Sequence, residues 1–195
     1  NDIDFINYIG NEEIQNKLRT NKSQEKDLAL TDKFPQIKIP NKFFKNNGRL
    51  AFADLDQQVA DNKPTYSNGA IYADLDNDGD LDVVVNNIND PVMVYETKSN
   101  DKHDKTYADI KLKGPAGNIN GVGAKLVLFG NNQLFLYEKQ AVHGFMSSME
   151  IPLHVGLDKI KPDSAFLVWP DNTCQRINLP ANNSNLTLTW QKGLP

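Results

Sequence analysis

A run of evenly spaced aspartates carries the clearest chemical signal in this 195-residue sequence. Gly79, at position 6 of the run, allows the sharp bend of a chain that curls around an ion. Calcium takes about six to eight hard oxygens at about 2.3–2.6 Å, and this spacing supplies most of them. We therefore predict a Ca²⁺ site in which Asp80 offers its backbone carbonyl and its neighbours offer carboxylates. The five predicted metal residues are Asp74, Asp76, Asp78, Asp80 and Asp82.

Without a cation this loop is unfavourable. Two carboxylates about 4 Å apart repel by about 1 kcal/mol in water and by about 4 kcal/mol at an effective dielectric near 20. Several such pairs would open the loop, so we expect cation binding and local folding to be coupled. The alternative is an aspartate-rich turn that is simply solvated.

The residues that follow the loop argue against a helix-loop-helix calcium sensor. Such a loop has a bidentate Glu at position 12, where this sequence has Val85, in the β-branched run Val83–Val85. Asp82, at position 9, is the better closing ligand. We therefore predict that strands flank the loop and that the ion clamps a β-hairpin.

The elements that must position the loop are mainly short strands. Hydrophobic residues make up 39% of the chain, and Asn and Asp cluster in runs typical of turns. We predict a mainly β chain in three regions: a helical segment at 1–41, a blade-like repeat with the calcium loop at 42–98, and a β domain at 106–190.

The first region is polar and helix-prone. Asn11–Ile14 is typical of a capped helix start, and Ile14 and Leu18 have the i, i+4 spacing of a narrow apolar stripe. Pro35 and Pro40 end this region.

The second region contains strand candidates separated by two predicted tight turns, Asn47-Gly48 and Asn68-Gly69. We expect a domain boundary in the hydrophilic segment Ser99–Lys105. The strand candidates are Leu50–Ala53, Ala70–Ala73, Val83–Val85 and Val92–Tyr95.

The third region has strand candidates that Gly, Pro and Asn separate at intervals of about ten residues, the spacing of a sandwich or barrel. They are Tyr107–Leu112, Ala124–Phe129, Leu134–Glu138, Ala165–Trp169, Gln175–Leu179 and Leu186–Trp190.

Charge and composition disfavour several classes of function. The net charge is -4, and no Lys/Arg cluster is dense enough to indicate nucleic-acid binding. No apolar run approaches the roughly 20 residues that span a bilayer, so we expect no membrane insertion in this segment. The single cysteine, Cys174, cannot form an intramolecular disulfide and is expected to be a buried thiol.

Other reactive side chains give weaker signals. The three histidines, at 103, 143 and 154, lack a zinc spacing, and His154 is expected to be a satisfied core residue. The two carboxylates that hydrolyse a glycoside are close in the fold but can be far apart in the sequence, so the hypothesis of an enzyme stays open. The candidates for it are Glu138, Glu150 and Asp171, with Trp169, Phe145 and Tyr137 as residues that could stack on a sugar.

Two parts of the chain resemble known families. Three stretches, Phe43–Gly48, Phe52–Asp54 and Tyr66–Asp82, are together similar to an FG-GAP/VCBS repeat. The third region resembles the ASPIC/UnbV domain that often follows such repeats, as in cartilage acidic protein and its bacterial relatives. The matching motifs are Gly121-Val122-Gly123-Ala124, Gly144-Phe145-Met146-Ser147-Ser148, Leu153-His154-Val155-Gly156-Leu157 and Val168-Trp169-Pro170-Asp171.

The resemblance implies a β-propeller blade with calcium in its aspartate loop, as in integrin α-subunits. One blade cannot close a propeller, so the resemblance also implies the C-terminal piece of a longer repeat protein. The family commonly has Arg where this chain has His143. The repeat and the frequent Asn resemble large surface proteins of Bacteroidota, which implies an extracellular or outer-membrane surface location.

From the sequence we expect a non-catalytic, calcium-binding extracellular module for adhesion or ligand binding. Its partners would be an unidentified protein or glycan and other blades of the parent chain. The alternative is an accessory to a carbohydrate-active enzyme, or a glycan-binding component of polysaccharide use. A third hypothesis is an architectural end-cap that packs against further blades.

Overall fold

The structure is a computed structural model that describes residues 3, 6–7, 10–20, 37–102, 104–180 and 183–195. The side chain of Leu18, together with Pro35 and His103, lies outside the described residues. The chain is mainly β, as predicted, and it divides into two compact units, Asn1–Tyr66 and Ser67–Pro195. None of the described helices is long and apolar enough to cross a membrane.

The first unit contains the predicted helix, α1 (Glu12–Arg19). Asn11 caps it, because its Oδ1 accepts a hydrogen bond from the backbone N–H of Glu13 at 2.9 Å. An i, i+4 ion pair joins Lys17 Nζ to Glu13 Oε1 at 2.9 Å. The capped helix start is therefore confirmed.

A small hairpin follows in the same unit. Strand β1 (Phe44–Asn46) pairs with the antiparallel β2 (Phe52–Asp54), and a 3-10 turn spans Asp56–Gln58. Gly48 has a φ of 83°, and the Asn47 N–H donates to the Ala51 carbonyl at 2.9 Å. The predicted reversal at Asn47-Gly48 is confirmed.

The second unit begins with a three-stranded antiparallel sheet, in the order β3-β4-β5. Its strands are β3 (Ser67–Ala73), β4 (Asp82–Asn87) and β5 (Met93–Tyr95). The aspartate loop joins β3 to β4, so the strand-flanked loop is confirmed.

The turn predicted at Asn68-Gly69 is wrong. Both residues lie within β3, where the register shifts between Ser67 and Gly69. A Cβ on Gly69 would come within 2.7 Å of the Met146 carbonyl oxygen. This glycine therefore permits close approach of another segment and does not reverse the chain.

The rest of the second unit forms two larger sheets, ordered β11-β6-β14 and β13-β12-β7-β8, together with the short pair β9-β10. Neighbouring strands are antiparallel, except that β14 runs parallel to β6. The strands are β6 (Tyr107–Lys113), β7 (Lys125–Gly130), β8 (Gln133–Glu138), β9 (Val142–Gly144), β10 (Ser147–Ser148), β11 (Leu153–Gly156), β12 (Pro162–Val168), β13 (Cys174–Ile177) and β14 (Ser184–Thr189).

One hydrophobic core joins the two larger sheets. Its buried residues alternate along the strands with exposed ones, as expected where one sheet face packs inward. Trp169 is 1% exposed, so its indole belongs to this core and cannot stack on a sugar. Besides Trp169, the largest buried apolar side chains are Ile110, Leu126, Leu128, Val155 and Leu167.

Candidate metal centre

The aspartate loop begins and ends at paired strand residues, because Ala73 of β3 lies opposite Asp82 of β4. Two residues inside it adopt left-handed backbone conformations, Asn77 with a φ of 62° and Gly79 with a φ of 91°. These two positions supply the bend that turns the loop back on itself.

The loop brings three of the five predicted ligands together. One carboxylate oxygen from each of Asp74, Asp76 and Asp78 lies within 4.8 Å of the others, and we name these residues the first cluster. Oxygens on opposite sides of one calcium ion are at most about 5 Å apart, so this spacing fits a shared ion. The backbone N–H of Gly79 donates to Asp74 Oδ2 at 3.0 Å and helps to fix that carboxylate.

Asp82 lies outside the first cluster. Its carboxylate is buried and accepts backbone hydrogen bonds, from Leu75 at 3.2 Å and from Thr97 at 2.8 Å. The Thr97 hydroxyl in turn donates to the Leu81 carbonyl at 2.7 Å. Asp82 thus ties both ends of the loop to the segment after β5, while its role as a closing ligand stays a prediction.

Asp80 connects the loop to a buried asparagine. Its Oδ2 accepts a hydrogen bond from the Asn100 N–H at 2.8 Å, and Asn100 Nδ2 donates to the Asp78 carbonyl at 2.6 Å. Asn100 is only 2% exposed, and its Oδ1 accepts from the Lys105 N–H at 2.9 Å. Asn100 therefore packs against the loop and also bonds to Lys105, while the domain boundary predicted in Ser99–Lys105 stays a prediction.

Sequence reasoning missed one acidic residue at this site. One carboxylate oxygen from each of Asp78, Asp80 and Asp101 lies within 4.8 Å of the others, and we name these residues the second cluster. Asp101 stands in a hydrophilic stretch far along the chain from the loop. The one clue to the position of Asp101 is that its neighbour Asn100 is buried. The burial of an Asn cannot be predicted from the sequence.

The loop concentrates negative charge, because its aspartate carboxylates lie close together. Burial raises the pKa of Asp80 above its ordinary value; the Asp78 carboxylate also raises it, and the Asn100 N–H opposes the rise. Among the described residues, no Lys, Arg or His forms an ion pair with an aspartate of either cluster. A divalent cation would relieve the repulsion between these carboxylates.

The C-terminal sheets contact the loop through Tyr107, the first residue of β6. Its ring lies against Gly79 and stacks on the imidazole of His154, with ring centroids 5.4 Å apart. His154 Nδ1 lies 2.9 Å from Asp109 Oδ1, which agrees with the predicted satisfied histidine. Burial, with the nearby carboxylates of Asp74 and Asp109, raises the pKa of Tyr107.

A separate cavity of about 260 Å³ lies beside β3, β8 and β11. His143 stands at its edge, and its Nδ1 is 3.0 Å from the Tyr72 hydroxyl. Glu138 is the one carboxylate among the described residues that line the cavity. Its lining residues include Tyr72, Tyr137, Glu138, Gln140, His143 and His154.

The other two carboxylates considered for hydrolysis lie elsewhere. Glu150 Oε1 pairs with Lys139 Nζ at 2.7 Å. Asp171 accepts hydrogen bonds from the Thr173 hydroxyl at 2.7 Å and from Trp190 Nε1 at 2.9 Å. Phe145, considered for sugar stacking, is 76% exposed and does not line the cavity.

Comparison with known proteins supports the identity of the C-terminal part. Residues 114–195 match the family model described as ASPIC and UnbV. This match confirms, for residues 114–195, the ASPIC/UnbV resemblance predicted for the third region. No curated protein matches the chain. The FG-GAP/VCBS resemblance of the preceding residues stays a prediction.

Proposed function

We propose that this chain is a non-catalytic, calcium-binding extracellular module used for adhesion or ligand binding, within a larger repeat protein. The observation that carries the calcium part is the convergence of three carboxylates, Asp74, Asp76 and Asp78, within 4.8 Å in a bent loop. The FG-GAP/VCBS and ASPIC/UnbV resemblances support an extracellular repeat protein.

The ion would have a structural role. The loop joins β3 to β4, and its hydrogen bonds through Thr97 and Asn100 tie it to the segment that leads into β6. An ion in the first cluster would therefore hold the hairpin and this segment in one arrangement. Because the unfolded chain has no preformed site, the binding free energy would add to stability.

Thermal unfolding of the full chain with calcium and with EGTA tests the calcium site. At calcium concentrations about 100 times Kd, one bound ion stabilises the folded state by about 2.7 kcal/mol, which is a shift of several degrees. Asp76→Asn should abolish the calcium-dependent part of the shift, because Asp76 belongs to the first cluster and is exposed. Asp104→Asn, an exposed aspartate outside both clusters, is the matched control.

Equal melting temperatures in calcium and in EGTA, together with unchanged stability in Asp78→Ala, would overturn the structural calcium site. A shift that persists in Asp76→Asn would place the ion elsewhere in the chain.

The cavity beside β3, β8 and β11 supports glycan binding as the second candidate. At about 260 Å³ it is slightly smaller than typical ligand pockets, which span about 300–1,000 Å³. Tyr72 and Tyr137 could pack against a sugar ring while Gln140 and His143 offer polar contacts. With Glu138 as the one carboxylate among the described lining residues, the cavity supports binding over hydrolysis by a carboxylate pair.

A glycan array followed by calorimetry tests this candidate. Tyr137→Ala should abolish binding of a glycan held in the cavity. Phe135→Ala is the control for damage to β8, because Phe135 lies two residues earlier on the same face of that strand. If the protein hydrolyses chromogenic glycosides, and substitution of a single carboxylate abolishes that hydrolysis, the chain is an enzyme instead.

A further inference from the structure

The cavity beside β3, β8 and β11 is lined by a histidine that uses only one of its ring nitrogens within the described part of the chain. We propose that His154, fixed by Asp109, presents its Nε2 to this cavity as a hydrogen-bond acceptor, and that the ligand is a neutral sugar. This inference rests on the glycan-binding candidate above and deepens it, because it names the class of sugar and the residue that recognises it.

Asp109 determines which nitrogen of His154 carries the proton. The two residues lie directly opposite each other on β6 and β11, and His154 Nδ1 is 2.9 Å from Asp109 Oδ1. A carboxylate only accepts hydrogen bonds, so Nδ1 carries the proton and Nε2 of the neutral ring is bare. The second nitrogen is therefore an acceptor.

Two contacts leave the Nε2 side of the ring for the cavity. Asp109 lies against the Nδ1 edge, and Tyr107 stacks on one face of the ring, with centroids 5.4 Å apart. Among the described residues Nε2 has no hydrogen-bond partner, and the atom keeps contact with solvent. The His154 side chain is 15% exposed and lines the cavity, so a ligand in the cavity can reach Nε2.

The charges around the cavity disfavour an acidic ligand. Glu138 is the one carboxylate among the described lining residues, and Lys139 is the one ammonium. The charge of Lys139 is already compensated, because its Nζ lies 2.7 Å from Glu150 Oε1 and also donates to the Ile151 carbonyl. A sugar carboxylate would face the Nε2 lone pair and the Glu138 charge, whereas a sugar hydroxyl can donate to both.

The size of the cavity and a second polar group also fit a single sugar. At about 260 Å³ the cavity lies below the range of about 300–1,000 Å³ that holds drug-sized ligands, so it suits one sugar ring. Tyr137 lines the cavity as well, and its hydroxyl can donate a hydrogen bond. A donor at Tyr137 and an acceptor at His154 together match sugar hydroxyls, which both donate and accept.

NMR of the ¹⁵N-labelled full chain tests the protonation of the ring. At neutral pH the side-chain nitrogen shifts of His154 should show a protonated Nδ1 and a bare Nε2. Asp109→Asn should raise the fraction of the form protonated at Nε2, because the amide of Asn can also donate to Nδ1. A predominant Nε2–H form in the unmodified chain would overturn the inference without affecting the glycan-binding candidate.

Titration with single sugars tests the recognition. The probes are the methyl glycosides of glucose and galactose, and the corresponding glucuronate and galacturonate. We expect at least one neutral sugar to bind and to shift the His154 Nε2 resonance. Its acidic counterpart should bind at least about tenfold more weakly, because of the charge repulsion.

Two substitutions of His154 separate its two nitrogens. His154→Asn keeps a donor for Asp109 but removes Nε2, so the neutral sugar should bind about three- to tenfold more weakly, which is the value of one hydrogen bond. His154→Gln, whose amide oxygen can reach the position of Nε2, should retain more of the affinity. Asp158→Asn, at an exposed position, is the control and should bind like the unmodified chain. Circular dichroism checks that each variant is folded.

The outcomes distinguish this inference from the glycan-binding candidate. Binding of a neutral sugar that Tyr137→Ala abolishes and His154→Asn leaves unchanged would overturn the inference and support the candidate. Tighter binding of the acidic sugar, or binding of longer glycans on an array with neither neutral sugar bound, would also overturn the inference alone. If no sugar and no glycan binds, both are wrong.

Discussion

The ring of Tyr107 occupies the space that a side chain on Gly79 would need, so that a Cβ at Gly79 would overlap the ring. Gly79 lies at the bend of the aspartate loop, and Tyr107 is the first residue of β6 in the C-terminal sheets. This contact places the loop directly against the first strand of the C-terminal sheets.

Gly79→Ala should therefore destabilise the protein for two reasons. The left-handed backbone, with a φ of 91°, costs an L-residue about 1–2 kcal/mol, and displacement of the Tyr107 ring adds to that cost. Gly193→Ala is the matched control, since Gly193 has a φ of 94° and a Cβ added there would meet no atom within 4 Å. Urea unfolding should show a larger loss for Gly79→Ala, and equal losses would contradict a role for the ring.

Asn100→Ala should destabilise the loop and weaken calcium binding. The substitution removes the hydrogen bonds to the Asp78 carbonyl and from the Lys105 N–H, and each buried group left unpaired costs about 1–3 kcal/mol. Asn178→Ala, at an exposed position outside the strands, is the control. Urea unfolding with and without calcium measures both effects, and a loss no larger than that of the control would contradict the buried role of Asn100.

Asp171 should give the protein a pH-dependent contribution to stability. Hydrogen bonds from the Thr173 hydroxyl and backbone, and from Trp190 Nε1, lower the pKa of Asp171 below its ordinary value of 3.8. A carboxyl whose pKa is lower in the folded state stabilises above its unfolded pKa and loses that contribution as the pH falls through the folded pKa.

Asp171→Asn should consequently lower stability at pH 7, and the difference from the unmodified chain should shrink as the pH falls below about 4. Asp158→Asn, at an exposed position, is the control. Urea unfolding at a series of pH values measures the difference, and a constant difference at every pH would contradict the assignment.

Lys139 and Glu150 should be energetically coupled. The Lys139 side chain is only 4% exposed, and its ammonium pairs with Glu150 Oε1 at 2.7 Å, while Glu150 is half exposed. Glu150→Gln leaves the buried ammonium without its counter-charge. We expect a loss of about 1–3 kcal/mol, below the cost of breaking a fully buried pair because solvent screens Glu150.

A double-mutant cycle with Lys139→Met measures this coupling. Glu150→Gln should cost much less in the Lys139→Met background, where no buried charge remains. If Glu150→Gln lowers stability equally with Lys139 and with Lys139→Met, the ion pair has no coupling energy.

The sequence by itself determined the local features that depend on residue type and spacing. The β-branched run at Val83–Val85 predicted a strand after the loop, and Asn11 predicted the helix cap, because both depend on neighbours close in the chain. The aspartate spacing likewise predicted which residues could surround an ion.

Only the tertiary structure decided what depends on residues distant in the chain. Asp101 lies close to Asp78 and Asp80 because its neighbour Asn100 is buried against the loop. Gly69 does not form a turn; it allows the backbone of Met146 to approach closely. Asp82 uses both oxygens to accept from backbone N–H groups that the fold brings to it. Burial and long-range contact arise from packing between elements, which the spacing of residues along one chain does not encode.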